Sequence, residues 1–127
     1  MKLGMLFAVG TLSCHASFAF AQSGPKMTQA QLVELTQDGV VLVLGGKGEG
    51  YAGKLTPNGD GTAQGSAKTD AGDKIPIAGT WEVKGGKFCR VQADLNEGKK
   101  VCKVWYMTSD TSAEVFNSKK RIGLNSW

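Results

Sequence analysis

The chain has 127 residues, with 15 Lys and Arg against 11 Asp and Glu, a formal net charge of +4 and one histidine. That histidine, His15, lies in an N-terminal segment with the character of an export signal, so the part expected to fold has none. This excludes a His general base, a Ser-His-Asp or Cys-His nucleophile and a His-ligated metal; the remaining 106 residues suffice for one domain with a modest core.

Residues 1–21 read as a signal peptide. Lys2 supplies the charged start, Leu3 to Leu12 are mostly apolar, and Ala19-Phe20-Ala21 is a small-x-small cleavage site before Gln22. The apolar run is far shorter than the roughly 20 residues needed to cross a bilayer, so the chain is not expected to span a membrane. Cys14 fits acylation poorly, because Leu12 stands two positions before it where a lipobox places its aliphatic residue three before. The expected location is the periplasm or the exterior. In that oxidising compartment the two remaining cysteines, Cys89 and Cys102, are expected to form a structural disulfide.

Residues 22–27 form a polar leader, and 28–127 a single β-rich domain. The one helical signal is TQAQLVELTQDG, about three turns, in which Thr28 and Gln31 make a capping box, Leu32 and Leu35 share a face, and Gly39 ends the turn. From Val40 onward, eight short β-prone runs follow: 40–44, 51–56, 62–68, 75–84, 87–93, 99–108, 112–116 and 121–124. Their connectors, such as PNGDG, DAGD, GG and NSKK, are hairpin compositions. Strands so short with turns so tight must be antiparallel neighbours. The fold class is therefore mainly β: an antiparallel meander, strongly curved or barrel-like, with the short N-terminal helix against one face or plugging one end.

A bridge between Cys89 and Cys102 sets a register that centres the intervening turn near Leu95 and Asn96 and places Val91 opposite Lys100. Val91, Val104 and Tyr106 then share one face, and Phe88, Val101, Trp105 and Met107 the other. Neither face is wholly polar, which implies cover on both sides or a bulge.

The segment GTWEVKGGKFCR...GKKVCKVWY, Gly79 to Tyr106, has a cadence of Gly-x-Trp, a Gly-Gly turn, a cysteine and a second cysteine about a dozen residues on. With the helix and the DGTAQG stretch at Asp60 to Gly65, it resembles the small exported proteobacterial domains of unknown function of the DUF995-like group. The resemblance implies a periplasmic β-rich domain with Trp81 packed near the bridge, and it brings no catalytic residues.

Among candidate sites, GGKGEG at Gly45 to Gly50 lacks the Gly-Lys-Ser/Thr ending and following helix of a phosphate loop, and reads as a hairpin loop. Asp60, Asp70 and Asp73, with Asn58 and Asp38, are turn residues whose alternative is a weak calcium site, without an EF-hand spacing. No carboxylate pair is singled out for acid–base work, and no metal or cofactor is expected. Trp127 ends the chain as in some outer-membrane barrels, but Arg121, Gly123 and Asn125 break the apolar alternation, and eight membrane strands are hard to supply from this length.

Basic charge gathers in the C-terminal half. Lys99, Lys100, Lys103, Lys119, Lys120 and Arg121 are expected to form one positive edge beside Trp105 and Tyr106. The leading expectation is accordingly a non-enzymatic binding protein for an envelope protein or anionic glycan, with no role in nucleic-acid binding; inhibition of a hydrolase is a subclass. The alternative is a small apolar-ligand carrier whose curved sheet encloses a pocket lined by Trp81, Phe88, Trp105 and Phe116.

Overall fold

The computed structural model describes residues 24–93 and 96–127; the signal segment therefore lies outside the described residues, as do Asp94 and Leu95. Helix α1 (Gln29–Thr36) is followed by eight strands: β1 (Leu42–Gly45), β2 (Tyr51–Pro57), β3 (Thr62–Thr69), β4 (Lys74–Lys84), β5 (Lys87–Val91), β6 (Val101–Ser109), β7 (Ser112–Asn117) and β8 (Lys120–Ser126). Each strand pairs antiparallel with the next, and β8 returns to β1 through Val43 to Ser126 and Leu44 to Asn125, closing a barrel. The expected meander is thus fully closed, and all eight predicted runs are strands. Closure gives every described strand a partner on both sides, with residues 74–79 of β4 extending beyond the end of β5.

An eight-stranded barrel encloses just enough space for side chains or for one small ligand. Alternation sends Leu42, Leu44, Leu55, Ala63, Ala67, Ile77, Phe88, Trp105, Ala113 and Val115 inward, all buried. The outer wall carries Lys54, Gln64, Ser66, Lys68 and Glu82 at exposed or half-exposed positions, where a transmembrane barrel carries an apolar band. Six of the seven connections between strands have only two to five residues, so little of the chain is spent on them. Among the described residues no helix is long and apolar enough to cross a membrane.

The turns after β2, β4 and β6 lie at one end, and α1 plugs it. Thr28 caps the helix, its hydroxyl accepting from the Gln31 amide while the Gln31 side chain accepts from the Thr28 amide. The helix has two turns, not three, because Gly39 lies beyond a C-cap already reached at Gln37. Leu32 is fully buried, worth roughly 1.5–3 kcal/mol of transfer free energy. The Gln29 side chain fixes the helix to the β4–β5 turn from both sides, donating to the Val83 carbonyl at 3.2 Å and accepting from the Gly86 amide at 2.7 Å.

The leader extends the fold further than expected. The Met27 amide donates to the Trp105 carbonyl at 2.8 Å and the Met107 amide to the Pro25 carbonyl at 2.9 Å. Met27 is buried, so Pro25 to Met27 belong to the domain.

The disulfide joins Cys89 to Cys102 across directly paired positions, flanked by Phe88 opposite Lys103 and Arg90 opposite Val101. This is the register that the bridge predicts. The ladder stops there: Val91 pairs only with Thr80 of β4, and a 3-10 turn at Asn96–Gly98 occupies the connection. Bulges lie between Met107 and Ser109 and between Val115 and Phe116.

Candidate functional site

Away from the helix, the barrel interior is not filled. A cavity of about 290 Å3 occupies the far end, ringed by the turns after β1, β3, β5 and β7. Its walls are chemically divided. Leu44, Leu55, Ile77, Val115 and Ile122 give an apolar side, whereas β5, the residue just after it and β6 contribute Arg90, Gln92 and Lys103. Lys99, exposed in the β5–β6 connection, stands at the rim.

The floor is aromatic. Phe88 and Trp105 line the cavity, their ring centroids 5.2 Å apart, and the stack continues to Trp81 at 5.8 Å and to Trp127 at 6.4 Å. Trp81 is drawn toward the helix end because its indole N–H donates to the Asn58 carbonyl at 2.8 Å in the β2–β3 turn. It does not line the cavity, although it shares a small outer recess with Cys89. On the opposite wall, Tyr51 lies over Gly123, where any Cβ would collide with the phenol oxygen. Only glycine lets that ring lie against β8.

Electrostatics sets the cavity apart. No carboxylate lines it among the described residues. Among the described residues neither Arg90 nor Lys103 has an ion pair or a hydrogen-bonded side chain, and burial pushes both below their ordinary pKa, the Arg90 charge adding to the shift at Lys103. The Gln92 amide N–H donates to the Pro76 carbonyl at 3.2 Å, while its buried Oε1 has no partner. Two half-buried cations and an orphan acceptor on one wall are costly in a dry interior.

The structure divides the predicted basic edge. Strand alternation turns Lys103 and Trp105 inward and Lys100 and Tyr106 outward, so the eight residues do not share a face. Lys100 pairs with Glu82 through a hydrogen bond and its charge, holding that carboxyl below its ordinary value. Arg121 binds Glu49 and Glu114 and is raised by those hydrogen bonds. Lys119 in the turn after β7 and Lys120 at the start of β8 remain exposed, at the same end as the cavity. Among the predicted pocket residues, Phe116 is a further correction: it is buried on the outer face, edge-on to Tyr106 at 5.2 Å.

Asp60 and the pair Asp70 and Asp73 lie at opposite ends of β3, too far apart for one cation site. Asp60 caps its own turn: the hydroxyl and amide of Thr62 donate to it at 2.6 and 2.9 Å and hold its carboxyl below the ordinary value. Among the described residues there is no cluster of three or more metal-ligating side chains.

Sequence reasoning missed Arg90, Gln92, Tyr51 and the apolar wall. The signal for Arg90 and Lys103 was present in the disulfide register, which gives both the parity of Phe88 and Trp105. Compared with protein-family models, curated proteins and solved structures, the chain finds no match.

Proposed function

We propose that the protein is a non-enzymatic carrier that takes one small, largely apolar molecule into the far end of its barrel. The observation that carries this reading is the 290 Å3 cavity over the Phe88 and Trp105 floor. At about 30 Å3 per water-sized group, it holds roughly ten non-hydrogen atoms. Among the described residues the barrel is plugged at one end and has its mouth at the other, and the disulfide pins the strands that form the polar wall. Export to the periplasm or beyond agrees with the signal-like N-terminus and with the bridge.

Surface binding of an envelope partner is the second reading. Lys119 and Lys120 support it, but the neutralisation of Lys100 and Arg121 and the inward aim of Lys103 and Trp105 take away most of the expected surface.

The test uses a neutral fluorescent probe of the cavity's own capacity, naphthalene. Saturable binding of one probe per chain, with a cooperative unfolding transition shifted upward by the probe, is the expected result. No binding by well-folded protein, with retention of an envelope protein or glycan at low salt that is lost in Lys119→Gln/Lys120→Gln, transfers the function to the surface.

A further inference from the structure

Resting on the carrier reading, we propose that the ligand is an organic oxyanion, an apolar molecule bearing one carboxylate or equivalent head, and that Arg90 and Lys103 hold that head.

Arg90 and Lys103 project from neighbouring strands into the same cavity, diagonal to one another across the Phe88–Lys103 and Arg90–Val101 pairs. A cation removed from water needs a counter-charge, and the described lining offers none. Arg121 takes two carboxylates, Lys100 one and Lys99 one, and the other exposed lysines are solvated. Arg90 and Lys103 are the two described cations that are not exposed, and neither has a carboxylate partner among the described residues. An oxyanion placed between them gains charge-assisted hydrogen bonds from a planar fork and an ammonium. Its body meets Leu44, Leu55, Val115 and Ile122 across the cavity. Gln92, just past the end of β5 toward the rim, leaves an acceptor free for a hydroxyl or N–H beside the head.

The experiment compares decanoate, decanol, decyltrimethylammonium and inorganic phosphate by calorimetric titration of the intact protein, Arg90→Met, Lys103→Met and Lys87→Met, the last at the helix end. Binding of the neutral probe verifies that each variant keeps its cavity. Decanoate is expected to bind at least about tenfold tighter than decanol, with decyltrimethylammonium weakest. Arg90→Met and Lys103→Met each weaken decanoate about ten- to hundredfold and leave decanol unchanged, while Lys87→Met changes neither. Decanoate no tighter than decanol, with the neutral probe still bound, overturns the oxyanion proposal and leaves the carrier standing. Inorganic phosphate as tight as decanoate also overturns it, since the apolar wall then contributes nothing. If neither the neutral probe nor any decyl compound binds, both readings fall.

Discussion

Arg90 and Lys103 stand diagonally across the β5–β6 ladder, both aimed into a cavity whose described lining holds no carboxylate. A fold optimised only for stability places apolar groups there. Arg90→Met and Lys103→Met are therefore expected to leave the unliganded protein as stable as before or more stable by about 1 kcal/mol, which raises Tm by roughly 4–8 °C in a domain of this size. Denaturant and thermal melts check this; a marked loss of stability in both variants contradicts it.

Lys103 gives the cavity a pH dependence with a defined sign. Its folded-state pKa is depressed by burial and then by the Arg90 charge, below the ordinary lysine value of 10.5. Between the folded and unfolded values the unfolded chain holds more protons, so unliganded stability rises with pH across that window. Decanoate affinity falls across the same window as the ammonium is lost. Both slopes vanish in Lys103→Met, and an affinity flat with pH up to the ordinary lysine value contradicts the assignment.

The bridge sits on the outer face, directly behind the wall that carries Arg90 and Lys103. Cys89→Ala/Cys102→Ala is expected to cost about 3 kcal/mol by the chain-entropy estimate for a sequence separation of 13. Because the β5–β6 ladder has only three pairs, amide exchange should quicken first along those strands. Uniform acceleration over the whole barrel contradicts a local role.

Tyr51 and Gly123 form one wall by close approach. Gly123→Ala forces the phenol away and is expected to cost about 1–3 kcal/mol through overpacking. It also changes neutral-probe affinity, because both residues line the cavity. Unchanged stability and affinity contradict the contact.

The plug is a separate test of the fold. Leu32→Ala removes a fully buried side chain and is expected to cost about 2–5 kcal/mol, and Thr28→Ala about 1 kcal/mol by loss of the cap. Neither changes the decanoate preference over decanol, since the helix lies at the other end.

Most of the architecture was legible because it rests on local signals. Glycine-bearing turns separate the first six strands, Thr28 and Gln31 announce the helix start, and two cysteines fix one register. What remained hidden depends on closure. That β8 meets β1, and that Tyr51 reaches over Gly123, are long-range pairings with no sequence spacing of their own. Lys103 was misplaced for a different reason: lysines are almost always solvated, so the prior for its residue type outweighed the strand parity that sends it inward. Phe116 erred the other way, since an aromatic residue on an outer face is still buried when Tyr106 covers it.

The central claim is that the cavity, not the outer surface, is the functional site. Its most direct test is to follow backbone amide resonances while decanoate is added. The account predicts saturable shifts concentrated at Phe88 to Gln92 and Val101 to Trp105, with Leu44 and Ile122 moving in step. Shifts confined to the exposed turn at Ser118 to Lys120, or none at saturating concentration, contradict it.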